Sequence, residues 1–227
     1  MSREDSFVIT PAGRVAVRRL VLDELKRKVR GTMRPALIGS LAAIVAVAPA
    51  HGETPADRLV AAGIAQAATR VTYDGSYRRI PYPGGDVPPS IGVCTDVVTR
   101  AYRAIGIDLQ VEVHEDMVRA FRAYPQLWGM ARPDANIDHR RVPNLQTYLR
   151  RRGAALPVSR DPGAYLPGDL VSWMLPGNLP HIGIVTGRKT ASGTPMIVHN
   201  IGRGPEVEDM LFAYPITGHF RYPGTGS

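Results

Sequence analysis

An α+β fold is predicted, with helices in the first part of the domain packed on a small antiparallel sheet formed by the last third. Three observations predict it. Val97, Val98, Ala101, Tyr102 and Ile105 recur at helical spacing behind Cys94, the only cysteine of the 227 residues, and Gly106 stops the run. Thr54-Pro55-Ala56-Asp57 carries a helix start, an N-cap residue followed by Pro at the first helical position. From Leu170 onward, short β-rich runs alternate with Gly/Pro turns, the pattern of antiparallel strands.

In chain order, the first helix places Val60, Gly63, Ile64 and Ala67 on one face and ends near Arg70. Residues 73–92 are rich in Tyr, Pro and Gly, so they are expected to pack as an ordered loop over the site rather than to act as a linker. The helix over 93–105 spaces Asp96 and Arg100 for an exposed i, i+4 pair. Further helices are expected over 113–124, ended by Pro125, and over 144–152. The small sheet therefore carries extra N-terminal and insertion helices.

Cys94 stands where a Pro/Gly-rich loop turns into a helix. Backbone N–H groups there lack intrahelical partners and the helix dipole is positive, which favours a thiolate and predicts a pKa below that of an ordinary thiol. A thiol nucleophile needs a base, and the base needs an orienter. Two histidines lie on strand-like runs downstream, His181 in His181-Ile182-Gly183-Ile184-Val185 and His199 in Met196-Ile197-Val198-His199-Asn200. Taken singly, each of the three residues reads as core; their order along the chain raises the chemistry above that reading. His199 and Asn200 are strand neighbours, so their side chains face opposite ways and only one can support His181.

The order of parts resembles the papain-like amidases of the NlpC type at Cys94, Gly168-Asp169-Leu170-Val171, His181-Ile182-Gly183-Ile184 and Ile197-Val198-His199. Pro81-Tyr82-Pro83-Gly84-Gly85 resembles that family's Tyr and Gly-Gly element, whereas Thr95-Asp96 departs from its Ser-Gly after the cysteine. Longer motifs resemble the YijF-like secreted bacterial family, domain of unknown function 1287: Arg79-Ile80-Pro81-Tyr82-Pro83-Gly84-Gly85-Asp86, Asn136-Ile137-Asp138-His139-Arg140-Arg141 and Gly218-His219-Phe220-Arg221-Tyr222. That resemblance spans residues 55–223 and carries no established activity. The wider one implies a papain-like NlpC-type fold with Cys94 as nucleophile, His181 as base and His199 as orienter, acting on an amide of cell-wall peptide. Tyr82, Asp96 and Asn200 are the further candidates for oxyanion or substrate contacts. The same fold without activity, binding in the envelope, and an acyltransferase using the same residues are the alternatives.

No cofactor is expected, and no metal. His114-Glu115-Asp116 and Asp138-His139 supply ligand types without a spacing that presents two ligands from one element, so they read as a helix's polar face and as solvated loop charges. The formal charge of +8 invites a nucleic-acid reading, but residues 1–50 hold nine of the 28 Lys/Arg and four of the 20 Asp/Glu, which leaves +3 on the rest. No basic run interleaved with aromatics occurs, so a dedicated nucleic-acid surface is not expected. Arg34 precedes an uncharged apolar run over 35–48, too short for a comfortable membrane span, and Ala48-Pro49-Ala50 supplies a small-x-small cleavage pattern. Residues 1–50 are thus read as a basic extension plus signal peptide, or an anchor if uncleaved. Residues 51–227 are read as one periplasmic or secreted domain, a monomer without a membrane span after processing. A single thiol cannot bridge internally, which suits an exported chain with no disulfide framework.

Overall fold

The computed structural model describes residues 52–223. Helix α1 (Pro55–Ala65) begins at a reciprocal cap, in which Asp57 N–H donates to Thr54 Oγ1 at 3.1 Å and Thr54 N–H to Asp57 Oδ2 at 3.0 Å. A 3₁₀ turn (Gln66–Ala68) leads to β1 (Thr72–Tyr73), which pairs in parallel with β2 (Ile91–Gly92). Then follow α2 (Cys94–Ala104), α3 (Leu109–Ala120), a 3₁₀ turn (Asp138–Arg140) and α4 (Val142–Arg151). The expected helix over 113–124 starts four residues earlier, because Asp108 accepts the Gln110 N–H at 3.0 Å as its N-cap. The helix expected over 144–152 likewise starts early, with Pro143 in its first turn.

Six strands form one antiparallel sheet in the order β3-β8-β4-β5-β6-β7: β3 (Ala155–Leu156), β4 (Leu170–Leu175), β5 (Leu179–Lys189), β6 (Pro195–Asn200), β7 (Pro205–Glu208) and β8 (Ile216–Phe220). The α+β expectation holds. Strand alternation gives the sheet two apolar faces. Leu170, Ile182, Ile184 and Val198 face the helices and join Val97, Val98, Ala101 and Tyr102 of α2 in the main core. Val171, Trp173, Val185 and Ile197 face the other way, under Met210, Leu211 and Tyr165, with Trp173 Nε1 donating to Leu211 O at 3.0 Å. Full burial of each large side chain stabilises by about 1.5–3 kcal/mol.

Gly63 lets α1 lie close on the sheet, since a Cβ there would stand 2.9 Å from Val198 Cγ1. Among the described residues no helix is long and apolar enough to cross a membrane. The apolar run over 35–48 and the cleavage pattern lie outside them.

Candidate active site

Cys94 is the first residue of α2. Its N-cap, Val93, has no side chain able to cap, so the third helical residue does the work: Asp96 Oδ2 accepts the Val93 N–H at 2.7 Å. Asp96 is held in turn by Arg140, whose Nε and NH2 donate to its two oxygens at 2.9 Å each, with the side chains 1% and 3% exposed. Thr95 Oγ1 donates to Arg140 O at 3.1 Å. The same guanidinium reaches the backbone of the preceding loop, donating to Ser76 O and Asp74 O at 3.2 Å each. Arg140 thus joins the nucleophile's helix to the segment that carries Tyr73.

The Tyr73 hydroxyl and the Ile182 N–H of β5 are the polar groups beside the Cys94 thiol. Burial pushes the thiol up to about 11; the Asp96 carboxylate pushes the same way and the Ile182 N–H opposes. The expectation of a lowered thiol pKa is overturned, because desolvation outweighs the helix start where Cys94 is 4% exposed.

Ile182 faces the helices beside Cys94, so its neighbour His181 rises on the opposite face. There it pairs with Trp173 across β4, ring centroids 5.9 Å apart. His181 Nε2 lies 3.0 Å from His199 Nδ1, with the rings nearly perpendicular. Gly183 makes room between them, since a Cβ there would stand 3.0 Å from His199 Cβ and 2.6 Å from Ile197 Cγ2. Burial, then the neighbouring His199, pushes His181 down to about 3; burial pushes His199 down to about 4, with Glu206 opposing and Arg203 adding. Both imidazoles are therefore neutral near pH 7. His181 Nδ1 has no hydrogen-bond partner among the described residues, and no hydrogen bond runs from it to the thiol.

The structure brings His181 and His199 together on β5 and β6, with Cys94 on the helix side of the same strand beside Ile182, and it assigns three other candidates elsewhere. Asp96 is not an exposed partner of Arg100: it is 2% exposed under Arg140, while Arg100 binds Asp86 at 2.8 Å. Asn200 faces away from His199, donating to Gly92 O at 3.3 Å and accepting from Gly202 and Gly204 N–H, so its amide ties β6 to the approach to Cys94. Tyr82 packs edge-on against His114 at 5.3 Å, beside Glu115, away from the thiol. Sequence reasoning missed Tyr73, which no local feature separates from Tyr77 and Tyr82 in the same loop. The Asp138-His139-Arg140 segment is not a solvated loop: the three side chains are buried, and Asp138 binds His114 Nδ1 at 2.9 Å. Among the described residues no cluster of His, Cys, Asp and Glu could hold a metal ion.

With this geometry in view, comparison with known proteins places the chain. The family model for the domain of unknown function DUF1287 matches residues 60–222. The chain belongs to the DUF1287 family. It is 50% identical over 157 residues to the uncharacterized protein YijF of Escherichia coli (strain K12), covering 69% of this chain and 77% of that protein. NlpC1 from Trichomonas vaginalis is a structural neighbour at a TM-score of 0.37 and 15% identity, over 75% of this chain and 44% of that one. Within the matched span, the segments around Cys94 and Asp138-His139-Arg140 meet at the helix start, which Arg140 clamps through Asp96.

Proposed function

We propose that this DUF1287 protein is an exported thiol amidase acting on cell-wall peptide. One observation carries the reading: a helix-start thiol lies beside Ile182 of β5, the residue that follows a histidine whose Nε2 is engaged by a second histidine and whose Nδ1 has no partner among the described residues. The motif resemblance to NlpC-type amidases at the same residues supports it.

In this reading Cys94 Sγ attacks the amide carbon as its proton passes to His181 Nδ1 by way of water or the substrate, since no direct hydrogen bond joins the two side chains. The resting pair is neutral, so proton transfer accompanies attack instead of preceding it. The tetrahedral oxyanion meets the Cys94 N–H at the helix start and the Tyr73 hydroxyl, which turns from the thiol when substrate enters. The imidazolium then protonates the leaving amine, and water, activated by the same histidine, hydrolyses the thioester. An amine in place of water would make the same residues an acyltransferase.

Release of new amine termini from purified peptidoglycan is expected with the native domain and not with Cys94→Ala. His199→Ala is expected to lower turnover by about 10²-fold or more. Asn200→Ala is expected to act chiefly on stability, because its amide holds backbone. The buried, neutral thiol is what favours the second reading, an inactive envelope-binding domain, and equal behaviour of native and Cys94→Ala protein on every wall substrate would establish that reading. Export is part of the proposal: N-terminal sequencing of the envelope fraction is expected to start near His51, and a full-length cytoplasmic product would defeat it.

A further inference from the structure

The His181–His199 pair can exist in two neutral proton arrangements, and only one of them is competent. If His181 carries its proton on Nε2 and donates to His199 Nδ1, then His181 Nδ1 keeps a lone pair able to accept a proton. If His199 instead donates from Nδ1, His181 must carry its proton on Nδ1 and cannot accept one there. The 3.0 Å contact between the two rings fits both. What separates them lies on the far side of His199.

His199 Nε2 is 3.0 Å from Glu208 Oε2, while the other carboxylate oxygen, Oε1, is 2.6 Å from Arg203 NH2. Glu206, the cross-strand partner of His199 on β7, shares Arg203 with its Oε1 at 3.0 Å. His199 is fully buried, the carboxylate lies out of line for a regular hydrogen bond, and Nε2 has no other partner among the described residues. A ring lone pair aimed at a carboxylate at this distance is repelled, and an N–H is attracted. We propose that Glu208, held by Arg203, is a positioning residue that fixes His199 as its Nε2–H form and so passes the Nε2–H form on to His181, which keeps the lone pair of His181 on Nδ1, free to accept a proton. The inference rests on the amidase reading for its purpose. The proton arrangement itself does not depend on that reading.

Long-range ¹⁵N–¹H spectra of the imidazoles near pH 7.5, assigned with His181→Asn and His199→Asn, read the two forms directly. In the native domain both histidines are expected as Nε2–H. In Glu208→Leu, which offers no acceptor, the fraction of His181 carrying its proton on Nδ1 is expected to rise about tenfold, a change of about 1.4 kcal/mol. The kcat for amide release is expected to fall only in proportion to the Nε2–H fraction of His181 that is lost, with KM unchanged. A native His199 carrying its proton on Nδ1 overturns the proposal even if Glu208→Leu fails to fold, and so does a folded Glu208→Leu with native proton positions. A native domain that cleaves no amide defeats the amidase reading alone and leaves the spectra to decide this one.

Discussion

Between pH 6.5 and 4 the domain is expected to lose about 4 kcal/mol of stability per pH unit and to unfold before pH 4 is reached. Three buried histidines produce the loss. Burial, with the neighbouring His199, puts His181 at about 3; burial puts His199 at about 4; and burial, with the Arg140 and Arg103 charges, puts His139 at about 4. A group whose folded pKa is depressed contributes stability that is complete above its unfolded value, 6.5 for each of these, and is lost as pH falls toward the folded one. Each proton taken up on unfolding costs about 1.4 kcal/mol per pH unit, and a domain's total is only about 5–15 kcal/mol. Carboxylates such as Asp116, held low by its hydrogen bond from Arg151, give way in a more acid range, so the two losses are separable. Urea titrations from pH 7.5 to 4.5 measure the slope. His139→Gln should reduce it by one proton, and a flat profile between 6.5 and 4.5 would show that these histidines are not buried neutral.

The features readable from sequence were those fixed by local spacing. The apolar stripe Val97, Val98, Ala101, Tyr102 and the Thr54-Pro55 cap are contiguous signals, and α2 and α1 lie where those signals fall. His199 and Asn200 face opposite ways because strand periodicity allows nothing else, and His199 is the one on His181. The losses came from partners distant in sequence. Asp96 and Arg100 have helix-neighbour spacing, but the Arg100 guanidinium is taken by both oxygens of Asp86, and Asp96 is buried under the guanidinium of Arg140, 44 residues away. Tyr73 stands beside the thiol through the pairing of β1 with β2, a two-residue ladder with no pattern strong enough to see. Glu208 meets His199 only through the register of β6 and β7. The thiol's pKa failed for another reason: the helix start was visible in sequence, whereas the depth of burial that outweighs it is a property of packing.

Arg140→Ala is expected to cost about 3–5 kcal/mol, because it strands the Asp96 carboxylate without its partner in a site where that side chain is 3% exposed. Replacing both charges separates desolvation from packing. Asp96→Asn with Arg140→Met leaves no buried charge and keeps an acceptor for the Val93 N–H, so most of the loss should be recovered. The functional consequence follows from the other arm of the guanidinium. Without its bonds to Asp74 O and Ser76 O, the segment carrying Tyr73 loses its tie to the helix start. In Arg140→Ala protein that is still folded, iodoacetamide should therefore modify Cys94 faster at pH 8 than in the native domain, while Tyr73→Phe, which keeps the segment in place, should change the rate less. Urea unfolding and mass-spectrometric alkylation rates on the same samples decide it. A loss below about 1 kcal/mol, or an unchanged Cys94 rate in folded Arg140→Ala, would show that Arg140 neither holds the nucleophile's first turn nor keeps the tyrosine segment over the thiol.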